Sequence, residues 1–222
     1  MPLFYQQDIN ETTRLGVWEI TEDESFFLEK VPVSREITHP QKRLQHLAGR
    51  YLLQFLYPDF PYEMIKIADT RKPYLPGETY HFSISHCGKM AAAVVSATLR
   101  VGVDVEEASP KIERVLHKFL HPKELDWLKE QRMLASDLSA SSHSSNLHLL
   151  PTLLWSAKES VYKWYGSGQV DFSDHIQLKP FDFGLQGVIP GNFCKSEPFP
   201  FLLQFRLFGN LCLSWVVGNY TG

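Results

Sequence analysis

The spacing of apolar residues predicts three amphipathic helices. In the first, apolar side chains recur every three or four residues from Arg43 onward, and Pro40 suits a first helical turn. The second starts within HKFLHPKELDWLKEQ, residues 117–131, where a proline again follows a histidine. The third, TLLWSAKESVYKWYG, ends at Gly166, because glycine commonly follows the last helical turn.

Alternation of apolar and polar residues predicts strands around these helices. The strand-like segments are 15–20, 64–68, 80–85, 91–96, 100–106 and several runs within 176–217. The first helix is thus followed by a meander that ends near residue 106, and the later helices are followed by a second set of strands. A helix followed by strands, twice, predicts an α+β fold with an internal duplication. A single α+β domain is the alternative.

Composition narrows the class of protein. The chain has 222 residues, of which 44% are hydrophobic, and this suffices for a globular core. A net charge of -3 gives no overall basic field, which argues against nucleic acid or a membrane as the main partner. Three scattered cysteines and a start without signal-peptide character lead us to expect a cytoplasmic protein. A serine-rich stretch near 135–150 is expected to be a flexible loop.

The strand RVGVDVEEAS carries two carboxylates on one face. Asp104 and Glu106 are two residues apart, so their side chains project together at about 7 Å. Like charges at this distance repel, and a divalent cation would remove the repulsion. Oxygen ligands of this kind suit Mg²⁺, with Mn²⁺ as an alternative. The ordinary interpretation is a solvated outer face of the strand.

The third helix places charged residues among aromatic ones. Glu159 and Lys163 are one turn apart and share a helix face with Trp155 and Tyr162. A solvent-exposed ion pair is the ordinary interpretation, but the aromatic neighbours would partly bury the pair. A desolvated carboxylate is costly unless something compensates it. Glu159 could therefore be a third metal ligand or a base, with Lys163 meeting a phosphate.

These motifs together resemble those of the 4'-phosphopantetheinyl transferase family. G-V-D-V-E at 102–106 and W-S-A-K-E-S-V-Y-K at 155–163 match the paired family signature without gaps. The intermediate F-x-x-x-E motif has one extra residue here, between Phe119 and Glu124. Upstream matches are A-G-R at 48–50, R-K-P-Y-L at 71–75 and F-S-I-S-H at 82–86. The resemblance covers residues 40–165 approximately.

The resemblance implies a fold and a reaction. A chain of this length with two similar halves resembles the surfactin-synthetase-activating type, a monomeric pseudo-dimer of two helix-plus-antiparallel-sheet halves with its active site in the cleft between them. The first half, 1–100, would contact the 3'-phosphate of coenzyme A, and the second, 101–222, would carry the metal-binding and catalytic motifs. The reaction implied moves phosphopantetheine from coenzyme A to a serine of an apo-acyl or peptidyl carrier protein and releases 3',5'-ADP.

The resemblance also implies a role for individual residues. Mg²⁺ would be held by Asp104, Glu106 and Glu159, with Glu159 also the general base and Lys163 a catalytic phosphate ligand. Lys158 would assist Lys163 at the pyrophosphate. The coenzyme's 3'-phosphate would be bound by Arg50, Lys72 and His86, with Arg43 and Arg71 as auxiliaries and Ser85 bonded locally or near the ribose. Gln54 stands where longer members often have a second basic residue, which puts one phosphate contact in doubt.

Two further expectations concern partners and rival functions. The carrier protein is expected to dock on a hydrophobic and basic surface that includes residues 119–127. A non-catalytic protein that binds coenzyme A or a carrier is one rival, and the three acids and Lys163 argue for catalysis against it. A Mg²⁺-dependent phosphohydrolase is the other, but the sequence contains no P-loop or Nudix box.

Overall fold

The computed structural model describes residues 2–31, 37–138 and 147–220, with side chains for all of these except 135–138. The helices are α1 (Glu24–Leu28), α2 (Pro40–Leu56), α3 (Leu116–Phe119), α4 (Pro122–Leu138), α5 (Leu149–Tyr165) and α6 (Phe172–His175). The strands are β1 (Leu3–Asn10), β2 (Thr13–Glu19), β3 (Lys66–Ile67), β4 (Pro73–Tyr74), β5 (His81–Cys87), β6 (Met90–Ser96), β7 (Val101–Glu107), β8 (Ile176–Leu178), β9 (Gln186–Phe193), β10 (Phe199–Phe208) and β11 (Leu211–Val217). The predicted helices correspond to α2, α4 and α5.

The strands form two antiparallel sheets and one short hairpin. The first sheet has the order β1-β2-β6-β5, the second has the order β7-β11-β10-β9-β8, and β3 pairs with β4. The predicted α+β class is confirmed. The predicted meander is wrong at both ends: β3 pairs with β4 and not with β5, and β7 pairs with β11, with Asp104 opposite Ser214, and not with β6. A boundary near residue 100 and a pseudo-dimeric relation between the two parts remain predictions.

Two strand predictions differ from the structure for local reasons. β1 was not predicted, since its eight residues alternate only between half-buried and exposed positions and half of them are polar. The predicted strand 64–68 reduces to Lys66–Ile67, because Tyr62–Met64 forms a 3-10 turn directly before it. Each sheet nevertheless has a helix over one face, as the pattern predicts.

Three clusters of buried side chains make up the core. One joins α2 to the first sheet and includes Leu52 and Phe82. Another joins α5 to the second sheet and includes Ala157 and Val161. The third lies between the sheets and combines residues of both, among them Val94 of β6 with Val103, Leu213 and Trp215. The two sheets therefore share a core, and residues of the two parts can meet in one site.

Gly102 allows α5 to approach β7 closely. A Cβ atom at this position would lie 2.0 Å from the carbonyl oxygen of Ser160 and 2.7 Å from the nitrogen of Trp164. Any other residue would push the helix away from the strand, because neither backbone can yield at these distances. Gly102 thus sets the distance between β7, which carries Asp104, and the helical turns that carry Glu159 and Lys163.

Both ends of the stretch near 135–150, predicted as a flexible loop, are helical. Helix α4 continues to Leu138 and α5 begins at Leu149, while residues 139–146 lie outside the described parts of the chain. None of the helices in the described ranges has both the length and the apolar character that crossing a bilayer requires.

Candidate active site

Asp104 lies at the contact of β5, β7 and α5. Its side chain is buried, and its Oδ1 atom accepts hydrogen bonds from Ser85 Oγ at 2.7 Å and from Lys163 Nζ at 2.6 Å. The ammonium of Lys163 also donates to Ser85 Oγ at 2.9 Å. One carboxylate therefore joins a strand of the first sheet, a strand of the second sheet and the helix that the aromatic pattern singled out.

The two serines of F-S-I-S-H connect sheets that share no backbone ladder at this point. Ser83 Oγ accepts a hydrogen bond from the backbone N–H of Val103 at 3.1 Å, and Ser85 binds Asp104. Both serines are buried. The sequence analysis assigned Ser83 no role, although two serines at alternate positions between Phe82, Ile84 and Cys87 are the signal that could have found it.

The second oxygen of Asp104 has no partner. Oδ2 is buried and makes no hydrogen bond to any described residue. A buried polar atom without a partner costs about 1–3 kcal/mol, more for a charged group, and most proteins avoid it. An unpaired carboxylate oxygen beside two further acids has the chemistry of a cation ligand.

Glu106 and Glu159 share the electrostatics of this site. Burial, and then the charges of Asp104 and Glu159, raise the pKa of Glu106 to about 7, against the opposing effects of Lys163 and the Trp155 side chain. Burial and then the charge of Asp104 raise the pKa of Glu159 to about 6, against the opposing charge of Lys163. Asp104 is therefore close enough to both glutamates to raise their pKa values, and a nearby positive charge would favour their ionised forms.

The donor set fits a hard divalent cation, but its side chains are not arranged as a finished metal centre. Across the described residues, no three His, Cys, Asp or Glu side chains are placed to coordinate an ion together. Lys163 instead supplies the positive charge on Oδ1 of Asp104. Carboxylate oxygens are nevertheless the ligands that Mg²⁺ prefers, and the free Oδ2 is available to it. The metal assignment of Asp104, Glu106 and Glu159 remains a prediction.

Arg50 and His86 remain available for an anion. Arg50 is buried on α2, burial lowers the pKa of its guanidinium, and no described carboxylate forms an ion pair with it. The preceding Gly49 packs against Ile84 so closely that a Cβ there would lie 2.6 Å from a methyl of that side chain. His86 is exposed at the end of β5; desolvation lowers the pKa of its imidazole, and the charge of Lys163 acts in the same direction.

The structure corrects the prediction for Lys158. Its side chain is fully buried, and Nζ donates to Glu124 Oε2 at 2.6 Å and to the carbonyl of Phe172 at 2.9 Å. An ammonium enclosed in this way does not reach a phosphate in the cleft. Glu124, the glutamate of the F-x-x-x-E motif, is its partner, which the spacing of the motif alone did not indicate.

Two other predicted phosphate ligands also have protein partners. Arg43 forms a bidentate ion pair with Glu24, at 2.7 and 2.8 Å. Lys72 donates to the backbone carbonyl of Lys163 at the end of α5. Arg71 is exposed, and Phe119, predicted on the docking surface, is buried against Trp155 with ring centroids 5.2 Å apart. The residues that the structure brings together are thus Ser85, Asp104, Glu106, Glu159 and Lys163.

Two adjoining cavities lie next to this cluster. One, of about 200 Å³, is lined by residues 70–73 and 82–84 on one side and by Tyr162, Lys163 and Gly166 on the other. The other, of about 260 Å³, shares Lys72 and Gly166 and extends to Arg100. Each cavity is lined by residues from before and after residue 100, and of the clustered residues only Lys163 lines either of them.

Comparison with known proteins finds the same family that the motifs resemble. Residues 100–205 match the family model described as the 4'-phosphopantetheinyl transferase superfamily. Enterobactin synthase component D of Escherichia coli K12 is 35% identical over 126 residues, 55% of this chain and 54% of the relative. The protein of the same name from Salmonella typhi is 34% identical over 143 residues, 64% of this chain and 53% of the relative. The chain spans about half the length of these curated relatives.

Proposed function

The chain belongs to the 4'-phosphopantetheinyl transferase superfamily, and from this premise we propose that it transfers 4'-phosphopantetheine from coenzyme A to a serine of an apo-acyl or peptidyl carrier protein. The observation that carries the proposal is the meeting of Asp104, Glu106, Glu159 and Lys163 beside a cleft. The names of the relatives, components of enterobactin synthase, favour a carrier that is itself part of a synthase.

The transfer exchanges one phosphorus–oxygen bond for another. The serine oxygen bonds to the β-phosphorus of coenzyme A, and the bond from that phosphorus to the bridging oxygen breaks. The electron pair leaves on 3',5'-ADP, and the serine proton passes to a base. Such a reaction needs two aligned anions, neutralisation of charge on the phosphoryl oxygens and one proton acceptor.

Glu159 is the proposed proton acceptor. In the protein without the ion, burial and the charge of Asp104 raise its pKa to about 6, which makes it a stronger base than an ordinary glutamate. A bound cation would lower this pKa. It would receive the proton directly or through a water molecule. Lys163, held on Asp104 and Ser85, would donate a remaining N–H to the diphosphate oxygens.

Asp104, Glu106 and Glu159 are the residues proposed to hold Mg²⁺, or Mn²⁺ in its place. The ion would supply Lewis-acid stabilisation to the diphosphate when bound. The unpaired Oδ2 of Asp104 and the raised pKa of both glutamates support this set. Ser85 is assigned to orienting Asp104, because its hydroxyl already donates to that carboxylate.

Arg50 and His86 are proposed for the 3'-phosphate of coenzyme A. The buried guanidinium has no carboxylate partner among the described residues, and its planar fork suits a phosphate. Lys158 and Arg43 are dropped from the set because protein groups occupy them. The monomeric surfactin-synthetase-activating type, the cleft between two similar halves and a cytoplasmic location are further parts of the proposal.

The test is incubation with a panel of apo-carrier proteins, coenzyme A and either Mg²⁺ or EDTA, followed by intact mass spectrometry. We expect at least one carrier to gain the mass of phosphopantetheine, and we expect this gain to require the ion. Glu107 is an exposed acid of the same strand, so the control variant Glu107→Gln should show the same gain. Binding of coenzyme A without transfer would favour the non-catalytic rival. Release of 3',5'-ADP without a carrier would favour the phosphohydrolase.

A further inference from the structure

The turn between β3 and β4 contacts the last turn of α5. Lys72 Nζ donates to the backbone carbonyl of Lys163, and Thr70 Oγ1 donates to the carbonyl of Gly166 at 3.3 Å. This turn belongs to the part of the chain that precedes the catalytic motifs, whereas α5 carries them. The contact therefore joins the K-P motif to the residue whose side chain binds Asp104.

The last carbonyls of a helix need donors from outside it. Gly166 N–H bonds the carbonyl of Tyr162 at 3.0 Å, but the helix ends at Tyr165, so no later helical N–H reaches the carbonyl of Lys163. The Lys72 ammonium satisfies this carbonyl. Its positive charge also lies at the negative end of the helix dipole, where a cation is stabilising.

Two glycines make room for the contact. A Cβ on Gly166 would lie 2.6 Å from Lys72 Nζ, and a Cβ on Gly168 would lie 2.8 Å from a methyl of Thr70. Gly166 also has φ +77, which favours glycine in any case. The turn itself holds Arg71 at φ 65, a conformation that costs a non-glycine residue about 1 kcal/mol or more. Such a shape persists only where the surroundings fix it.

The ammonium of Lys72 is partly buried between the turn and α5. Burial, and then the charge of Arg100, lower its pKa to about 8, against the opposing charge of Glu78. Glu78 and Arg100 both line the cavity beside Lys72. Its Nζ atom donates to the backbone carbonyl of Lys163 in α5. The resemblance to the family instead predicts that this lysine contacts a phosphate of coenzyme A.

We propose that Lys72 is a positioning residue that fixes the backbone of Lys163, so that the Lys163 ammonium stays on Asp104 and Ser85. The inference rests on the proposed transfer and deepens it. Lys72 then acts on the reaction through Lys163, and the motif contributes without touching the coenzyme.

Steady-state kinetics with coenzyme A and with 3'-dephospho-coenzyme A separate the two roles. For Lys72→Met we expect kcat to fall about tenfold with either substrate, because a displaced catalytic group slows the reaction. KM for the coenzyme is expected to stay within about twofold, and Lys72→Arg, which keeps a charged donor, is expected to restore part of kcat. Lys66→Met, an exposed lysine of the same hairpin, serves as the control.

A phosphate role gives the opposite pattern. A rise in KM for coenzyme A that disappears with the dephospho substrate would overturn the proposal. Gly166→Ala and Lys72→Met disturb one contact, so their effects on kcat should not multiply in the double variant. Thr70→Val is the milder variant if either fails to fold. Absence of transfer by the unmodified protein would instead count against the proposed function, and hydrogen exchange at the end of α5 would still test the contact, since Lys72→Met should accelerate it.

Discussion

Two lysines of helix α5 each form an ion pair, Lys158 with Glu124 and Lys163 with Asp104. The nitrogen–oxygen distance is 2.6 Å in both pairs, but their surroundings differ. Lys158 and Glu124 are fully enclosed, and both oxygens of Glu124 are bonded: Oε1 by the N–H of Leu178, and Oε2 by the N–H of His121 as well as by Lys158. The carboxylate of Asp104 has donors on one oxygen and none on the other. A saturated pair stabilises the fold, whereas an unsaturated pair can still bind a ligand.

Removal of Asp104 gives the largest effect expected on activity. Asp104→Ala should lower kcat/KM by at least about 10³-fold, because a carboxylate that holds both the cation and Lys163 is lost. The melting temperature should change little, since an unpaired buried oxygen is removed as well. Mass-spectrometric transfer rates and scanning fluorimetry measure the two quantities. A stable variant with unchanged turnover would remove Asp104 from the site.

The saturated pair should behave in the opposite way. Lys158→Met leaves the charge of Glu124 buried with only backbone donors, which should cost ~3–5 kcal/mol of unfolding free energy. Lys158→Met with Glu124→Gln should recover part of this loss, because no unpaired buried charge remains. Urea unfolding measures both. A Lys158→Met protein of normal stability with a raised KM for coenzyme A would restore Lys158 to the phosphate site.

Substitution of Arg50 should have a smaller effect than substitution of Asp104, and this effect should fall on the binding of coenzyme A. Arg50→Gln should raise KM for coenzyme A about tenfold through loss of a charged, bidentate donor. With 3'-dephospho-coenzyme A the same variant should differ from the unmodified protein by less than about twofold. Equal effects on the two substrates would show that Arg50 does not bind the 3'-phosphate.

The two glutamates predict a modest dependence of stability on pH. Their folded pKa values, about 7 for Glu106 and about 6 for Glu159, exceed the unfolded value of about 4.3. Their contribution to stability is therefore complete below the unfolded pKa and is lost as the pH rises through 6 to 7. In EDTA, Glu159→Gln should raise the melting temperature by a few degrees at pH 8 and by much less near pH 4, below the unfolded pKa. Glu107→Gln is the control, and an equal rise at both pH values would contradict the assignment.

The sequence predicts local structure better than pairing. Helix α5 could be predicted because its apolar residues recur at helical spacing and Gly166 ends it at φ 77. The partner of β7 could not, because alternation fixes which side chains face the core and carries no information on the neighbouring strand. The short β3 was also overestimated, because the 3-10 turn includes Met64 at one end and the chain turns towards β4 from Ala68 at the other.

The same division holds for the site. Asp104 and Lys163 lie on regular elements that Gly102 allows to approach closely, and their side chains meet as the spacing predicts. The metal and catalytic roles of Asp104, Glu106, Glu159 and Lys163 remain predictions. Lys158 was misassigned because the motif does not reveal that it pairs with the buried Glu124. Its position five residues before Lys163 already places the two lysines on different faces of the helix. The partner of Lys72 could not be predicted for a similar reason: it is a backbone carbonyl, which no residue type indicates. The phosphate contact of Lys72 stays a prediction.

The most direct test is a titration of the protein with a divalent ion in the presence of coenzyme A. Binding is measured by calorimetry for Mg²⁺, or by the electron paramagnetic resonance signal of free ion for Mn²⁺. The account predicts one ion per chain, lost in Asp104→Asn and in Glu159→Gln and retained in Glu107→Gln. Binding of the ion to Asp104→Asn with unchanged affinity would contradict the claim that the unsaturated carboxylate of Asp104 is the cation ligand.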